Sequence, residues 1–347
     1  MQLDTIYIRN ETRKNEYRTP IVPSDINVLK QCGYTVFVEK SDTRCFKDID
    51  FEASGAIITD KSWVEFPDAL IVGIKELREE DIDRMENHTH VYFAHCYKNQ
   101  ENSEKILNRF SQSKSKLYDM EYFLDPSAIR IIAFGFYAGF IGGALGIMQY
   151  NSTNNFSRDI KNLTYWRTTY ELINDVKESI MDISRNISIA IIGANGRCGM
   201  GVKHLLDFFS IPYHKFGKKD TIQKLENFDI VFNCIHLHEQ IPQWFNKDTV
   251  FKKKIVIVDI SCDYSNPYNP IAIYNKPTTW EDPVYKYSEN VDIIAIENLP
   301  SLLPFESSHD FSDNLVYLLR SYAEGDEHGY WKKNSKVFYR NCKKYIL

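Results

Sequence analysis

Two residues suited to proton transfer each follow a short apolar run: Lys75 in "ALIVGIKEL" and His95 in "HVYFAHCYKNQ". An apolar run of this length, bounded by polar residues, reads as a buried strand. If the two strands are neighbours, sheet spacing puts the amine and the imidazole roughly 5 Å apart in one cleft mouth. Other charged and polar residues gather at the same kind of position. Glu11, Arg13 and Arg18 follow "TIYIR", Glu76 adjoins Lys75, Lys98 and Gln100 follow His95, and Glu121 follows "KLYDM". A partly desolvated lysine near other cations has a lowered pKa, and histidine already titrates near neutrality. Arg18 and Arg130 are suited to gripping carboxylates with a two-pronged hydrogen bond. The set therefore suits acid–base work on a carbonyl or an amine. Any one of these residues alone reads as an ordinary surface charge; their clustering at strand ends is what favours function.

A second chemical signal is "ISIAIIGANGRCGMG" at residues 187–201. Its glycines are Gly193, Gly196 and Gly199, a G-x-x-G-x-x-G spacing close to, but not identical with, the G-x-G-x-x-G dinucleotide fingerprint. The physical needs are shared: a tight turn, close approach of backbone to a pyrophosphate, close helix–strand packing, and a helix N-terminus facing negative charge. A plain strand-to-helix turn would carry such glycines too. The strand before, the helix after from about Arg197, and the further strands beyond favour the nucleotide reading. Selectivity should be legible at the end of the next strand, where an acid accepts the ribose hydroxyls of NAD. There the chain reads Gly217-Lys218-Lys219, with Asp220 a few residues late. That sequence lacks a well-placed acid and would tolerate the 2′-phosphate of NADP, unless the lysines are merely solvated.

These residues need a scaffold, and the order of elements supplies one. "TIYIR", "YTVFVEK", "GAIIT", "ALIVGI", "HVYFAH" and "KLYDME" alternate with polar or helical links over residues 1–125. "PSDINVLKQCG" reads as a helix capped by Ser24 and stopped by Gly33. A long helical region is expected over about 127–182. A second alternating unit follows, "ISIAIIG", "YHKF", "DIVFNC", "KIVIVDIS" and "VDIIAIE", and two amphipathic helices close the chain. Alternation of this kind predicts parallel sheets covered by helices. The expected fold is α/β, two Rossmann-like domains with mostly parallel sheets. The first domain, residues 1–130 and 305–347, is discontinuous, completed by the C-terminal helices, and carries substrate; residues 131–304 form the dinucleotide-binding domain. The Pro-rich stretch 265–285 is expected to be an ordered loop. Ser261-Cys262-Asp263 ends one strand and should face the cleft, and "IENLPSLLP" could close over a nicotinamide.

Bulk properties exclude several classes. The chain has 347 residues, 26% charged and 43% hydrophobic, with a net charge of −5, which gives a nucleic-acid footprint no support. "IIAFGFYAGFIGGALGIM" is about long enough to span a bilayer, but its glycines and charged flanks favour a packed interior helix. No apolar leader opens the sequence, so a cytoplasmic location is expected. Seven scattered cysteines form no CxxC pair, so neither a metal site nor a disulfide framework is expected. Cys198 and Cys234, both at strand ends, read as neighbouring thiols in a reducing compartment.

The phrases "RNETRKNEYR", "IVGIKEL", "YFAHCYKNQ", "RIIAFGFYAGFIGGALG", "IIGANGRCGMG", "FNCIHL", "VDISCDYSNPYNPIAIY" and "IENLPSLLPFESS" together resemble the lysine-forming saccharopine dehydrogenase family. They run in order over nearly the whole chain. More distantly, the pattern is similar to alanine dehydrogenase and transhydrogenase nucleotide-binding subunits. The resemblance implies oxidative cleavage of saccharopine to lysine and 2-oxoglutarate, with hydride passing to a nicotinamide. It implies Lys75 and His95 as the acid–base pair, without assigning either to a particular step. Arg13, Glu16, Glu76 and Glu121 would tune that pair. Arg18, Lys98, Gln100, Arg130, Phe134 and Ser261-Cys262-Asp263 match substrate-contacting positions. Gly196, Arg197, Thr221, His236, Ile260 and the run Ile296, Glu297, Asn298, Leu299 match cofactor-contacting ones, to which the glycine reading adds Gly193, Gly199 and Lys218.

This chain departs from the family pattern at some edges. It has Glu297-Asn298 for Asp-His, Phe305 in place of an arginine, Gly217 for an acid and His236 for a tyrosine. NAD is the implied cofactor, with NADP admitted by Gly217. The partners are a small amino acid and an oxo acid, with no nucleic acid and no membrane, and the chain would act as a monomer or small homo-oligomer. Two alternatives stand beside this reading: a related opine-type dehydrogenase joining a different amine and oxo acid, and a nucleotide-binding redox sensor without turnover. Retention of both Lys75 and His95 speaks against the sensor.

Overall fold

The computed structural model describes residues 3–98, 102–154, 160–180, 187–217, 220, 222, 224–235 and 240–343. It divides into two compact units, Met1–Ala133 with Ser307–Leu347, and Phe134–Glu306.

In the first unit, β1 (Thr5–Ile8), β2 (Thr35–Glu39), β3 (Ile57–Thr59), β4 (Ala69–Val72), β5 (Thr89–Tyr92) and β6 (Lys116–Asp119) form one sheet in the order β3-β2-β1-β4-β5-β6. Every pairing is parallel. Such a sheet is covered on both faces, so its central strands are continuously apolar. The sequence "ALIV" of β4 obeys this, with all four residues buried. Helices α1 (Ile26–Gln31), α2 (Asp48–Ala53), α3 (Glu79–Ile82) and α4 (Ser103–Gln112) connect the strands. The strand order reverses between β1 and β4, the point where ligands bind in open α/β sheets.

In the second unit, a glycine-rich helix α5 (Gly135–Asn154) and α6 (Thr169–Ile180) precede β7 (Ile189–Ile192), α7 (Arg197–Phe208), β8 (His214–Phe216), β9 (Ile230–Asn233), β10 (Ile255–Asp259), β11 (Tyr285–Ser288) and β12 (Val291–Ile294). The sheet order is β11-β12-β10-β9-β7-β8, parallel except for β11 at the edge. Helix α5 packs its backbone directly on α7. A β-carbon on Gly139 would fall 1.8 Å from the carbonyl oxygen of Cys198, and one on Gly201 1.9 Å from that of Phe136. Glycine at both crossings is what permits that approach. Among the described residues no helix is long and apolar enough to cross a membrane.

The chain closes with α8 (Pro304–Ala323) and α9 (Tyr330–Cys342). From Ser307 on they belong to the first unit. Ser308 and Ser312 accept the backbone N–H groups of Thr19 and Val22, and Asn334 donates to the carbonyl of Asp119. Trp331 packs edge-on against Tyr118 and Phe123.

Two local expectations are corrected. Ser24 is not the cap: it lies within a short 3-10 turn, Pro23–Asp25, and the residue at the N-cap of α1 is Asp25. The helical region expected over 127–182 is not continuous. Asp125 and Ile129 close a turn with the bridge Leu124–Arg130, α5 begins only at Gly135, and the described part of the link to α6 is irregular.

Candidate active site and nucleotide turn

The carboxyl ends of β1, β4, β5 and β6 are neighbours, which brings the charged residues of the first unit together. Lys75 follows β4 in a loop that β1 braces. Buried Glu11 accepts the backbone N–H groups of Ile74 and Lys75 at 2.6 and 3.0 Å. Arg9, also buried, donates to the carbonyl of Lys75 at 2.6 Å. Arg13 pairs with Glu76 at 3.2 Å in a half-exposed contact. The backbone carrying the amine is thus held from both sides.

The amine lies 3.9 Å from the Glu16 carboxylate. Glu16 is fully buried and is gripped by Arg18, Nε to Oε1 at 2.7 Å and Nη2 to Oε2 at 2.5 Å. Burial alone would raise the Glu16 pKa; the Arg18 guanidinium overrides it and holds the carboxyl below its ordinary value. Lys75 is pushed down from the usual lysine range by burial and by the Arg18 charge, against the pull of Glu16. A lysine so placed exchanges protons nearer neutrality than a solvated one.

His95 follows β5 in the left-handed region, φ +47°, with half its side chain exposed. Its ring stacks on Phe93 at 6.1 Å. Nδ1 lies 3.9 Å from Glu121, which sits in the turn after β6. Glu121 is the hub of this half of the site: Arg130 approaches at 2.9 Å and Lys98 at 3.2 Å. Burial opposes ionisation of Glu121, and Arg130 and Lys98 outweigh it. The His95 pKa falls through desolvation, with Glu121 pulling the other way, so the neutral imidazole is favoured. Lys75 also acts on His95 electrostatically, adding to that fall.

In the second unit, the turn after β7 meets the steric needs of a pyrophosphate cradle. Gly193 has φ +81°, and a β-carbon on it would meet Ile235 at 2.4 Å. Gly196 caps α7 with extended backbone, and a β-carbon there would meet only the Gly193 oxygen, at 3.4 Å. The space over Gly196 is therefore open where phosphate oxygens would lie against the N-terminus of α7. Gly199 allows helix and turn to close, since its β-carbon would lie 2.4 Å from the Gly193 oxygen. These features fit a dinucleotide.

Beside the turn, Asp259 ends β10 fully buried. It accepts from Ser261 at 2.6 Å, Asn233 at 2.9 Å and Tyr274 at 2.5 Å, and from the Cys262 backbone at 3.2 Å. This network holds the Ser261-Cys262-Asp263 segment, with Cys262 at φ +49° and its thiol directed to the carbonyl of Ala295. Ile260, Ile296 and Leu299 are buried, whereas Glu297 is exposed within 3.5 Å of the Tyr264 hydroxyl. The Asn298 carbonyl accepts from Ser301. Cys198 and Cys234 are free thiols; burial pushes Cys198 up to about 11 and Cys234 well above the usual range.

The structure therefore gathers Arg13, Glu16, Arg18, Lys75, Glu76, His95, Lys98, Glu121 and Arg130 in one unit. It gathers Gly193, Gly196, Arg197, Gly199, Ile260, Ser261, Cys262, Asp263, Ile296, Glu297, Asn298 and Leu299 in the other, together with Phe134. Gln100, Lys218, Lys219, Thr221 and His236 lie outside the described residues. Arg18, expected to await a substrate carboxylate, is already engaged by Glu16. Asp220, late in spacing for the strand end, accepts the Gly217 N–H on its carboxylate at 2.6 Å. Arg9, Asn233, Asp259 and Tyr274 are supporting residues that the sequence reading missed. The polar termini of apolar strands, Arg9 after "TIYI", Asn233 in "IVFN" and Asp259 in "IVIVD", were the available signal.

Comparison with known proteins gives concordant results. The family described as "Alanine dehydrogenase/PNT, N-terminal domain" matches residues 7–141, and "Alanine dehydrogenase/PNT, C-terminal domain" matches residues 172–340. Saccharopine dehydrogenase [NAD(+), L-lysine-forming] of Yarrowia lipolytica is 34% identical over 96% of this chain and 96% of its own length. The protein of the same name from Candida glabrata is 33% identical over 99% and 98%. Among solved structures, an L-alanine dehydrogenase superposes with a TM-score of 0.68 at 14% identity, covering 97% of this chain and 94% of that one. A transhydrogenase from Sinorhizobium meliloti gives 0.66 at 14%, over 90% and 92%. These structures share the fold.

Proposed function

The chain belongs to the saccharopine dehydrogenase family, and from that premise we propose that it cleaves saccharopine oxidatively and reversibly to L-lysine and 2-oxoglutarate, with NAD as cofactor. One observation carries the reading most directly: 34% identity over 96% of the chain is accompanied by an amine and an imidazole with lowered pKa values after adjacent strands.

Gly193, Gly196 and Gly199 in the turn after β7 would hold NAD, which when bound would supply the hydride acceptor. The remaining chemistry is proton movement, and the first unit supplies it. As the C–H bond of the secondary amine is oxidised, the amine nitrogen loses its proton to a neutral base. Water then adds to the resulting imine, and the carbinolamine collapses as the leaving lysine nitrogen is protonated. Lys75 and His95 are the two groups able to take and return these protons, since each is pushed toward its neutral form. Glu16 and Glu121 stay ionised beside them and keep both pKa values from falling further. Lys98 and Arg130 offer positive charge for the carboxylates of substrate.

Incubating purified chain with saccharopine and NAD, and identifying products by mass spectrometry, tests this. Lysine and 2-oxoglutarate in equal amounts are expected. Reduction of NAD by a different secondary-amine dicarboxylate, but not by saccharopine, would reassign the substrate.

A further inference from the structure

Given His95 as a proton carrier of the reaction proposed above, we propose that Asp119 is a positioning residue for it. The buried Asp119 side chain fixes the turn that carries Glu121, and through Glu121 it sets the charge facing the imidazole.

Asp119 ends β6, and no part of it reaches solvent. It stands at the N-cap of the short 3-10 turn Met120–Tyr122, where its Oδ1 accepts the Glu121 N–H at 3.0 Å. Its own carbonyl accepts from Asn334 Nδ2, on α9, at 2.8 Å. Asn334 is fully buried as well, so the residue is held from both sides away from water. Strand β6 pairs with β5, Asp119 opposite Tyr92, which brings the turn level with the loop that carries His95. The Ala94 backbone, one residue before His95, also favours the ionised Asp119 carboxyl. The C-terminal helix α9 thereby reaches the imidazole through a chain of contacts: Asn334 to Asp119, Asp119 to Glu121, Glu121 to His95.

Burial decides which of these links holds Glu121. The side chains around its carboxylate, Arg130, Lys98 and His95, are 39%, 42% and 50% exposed. Ion pairs with partners so exposed hold little by themselves. A buried backbone N–H that loses its acceptor costs more. The Glu121 backbone is therefore fixed by Asp119 rather than by the salt bridges. Glu121 and Glu76 favour the charged imidazole of His95, and Lys75 and Arg130 oppose it. Behind desolvation, Glu121 is the largest of these influences, so its placement sets the balance. At 3.9 Å from Nδ1, a small displacement of Glu121 changes that interaction.

A nuclear magnetic resonance titration of the His95 Cε1–H signal, identified by its loss in His95→Gln, tests this on the full chain without turnover. Asp119→Leu fills the same space and offers no acceptor, whereas Asp119→Asn keeps an acceptor for the Glu121 N–H. Asp119→Leu is expected to lower the His95 pKa by about half a unit or more. Asp119→Ala, which removes the acceptor without adding bulk, carries the same expectation. Asp119→Asn is expected to leave the His95 pKa near wild type. In a Glu121→Gln chain, adding Asp119→Leu is expected to give no further shift, because its effect runs through Glu121. With saccharopine and NAD, kcat of Asp119→Leu is expected to fall about tenfold or more. An unchanged His95 titration in folded Asp119→Leu or Asp119→Ala would overturn the proposal. So would a shift in Asp119→Asn as large as in Asp119→Leu, or a shift that adds in full to that of Glu121→Gln. A wild-type chain that does not oxidise saccharopine would instead overturn the reading of the reaction, and the His95 titration would still decide the role of Asp119.

Discussion

Arg18 grips Glu16 through two hydrogen bonds, at 2.7 and 2.5 Å, and neither side chain reaches solvent. The pair ties the proposed proton-transfer lysine to a fixed negative charge 3.9 Å away. Glu16→Gln removes a charge that raises the Lys75 pKa while leaving Arg18, which lowers it. The limb of the kcat/KM pH profile governed by Lys75 is therefore expected to move to lower pH. Loss of the bidentate partner of a buried guanidinium also costs about 3–5 kcal/mol of stability. A pH–rate series and a denaturant titration on the same preparation check both; a limb moving to higher pH would contradict the electrostatic assignment.

Lys75→Met and His95→Gln each remove a proposed proton carrier that belongs to the first unit. Turnover is expected to fall about 100-fold or more, the usual range for general acid–base groups. NADH affinity is expected to stay within about twofold, since neither residue belongs to the unit that holds the glycine turn. Steady-state rates with parallel fluorescence titrations check this. Near-normal turnover in both variants would remove the pair from the mechanism.

The glycine turn separates folding from binding at two of its positions. Gly199→Ala forces a β-carbon to within 2.4 Å of a backbone oxygen, so the thermal midpoint is expected to drop sharply. Gly196→Ala meets only one atom, at 3.4 Å, so the fold is expected to survive. NADH binding to that variant is expected to weaken about tenfold or more, because the methyl enters the space left for phosphate. Unchanged NADH affinity in Gly196→Ala would place the pyrophosphate elsewhere.

Much of this was legible in sequence because the buried parallel strands announce themselves. "ALIV", "IAII", "IVFN" and "IVIV" are apolar runs with polar ends, and the polar ends carry the chemistry. The adjacency of β4 and β5, on which the Lys75–His95 pairing depends, is visible only in the folded sheet. Partnerships were harder. Arg18 has the residue type of a carboxylate clamp, and only the fold reveals that Glu16, two residues earlier, already occupies it. Asp220 lies late in linear spacing, and only the structure shows its carboxylate accepting the Gly217 N–H. The edge strand β11, "YKYS", is exposed along most of its length and so carries no apolar run to announce it.

A buried histidine pair gives the first unit a pH signature. His88 and His90 lie fully inside, each edge-on to Trp63 at 4.9 Å, with Phe110 and Tyr92 completing the shell around His90. Burial lowers both pKa values, and the nearby Arg109 charge lowers them further. A histidine held below its unfolded value of 6.5 contributes stability that is fully present above that pH. That contribution is lost as pH falls from 6.5 toward the depressed folded value. Asp119, whose carboxyl is pushed up to about 7 by burial, works in the opposite direction over the same range. The comparison must therefore be between variants: His90→Phe should unfold less readily on acidification than wild type between pH 6.5 and 5. Parallel acid sensitivity of the two chains would contradict a neutral His90.

The absorbance of reduced nicotinamide, followed with purified chain, NADH, lysine and 2-oxoglutarate, tests the central claim most directly. Consumption of NADH that requires both lysine and 2-oxoglutarate, and that disappears in Lys75→Met, is the predicted result. NADH that binds but is not consumed with that pair would contradict the saccharopine reaction.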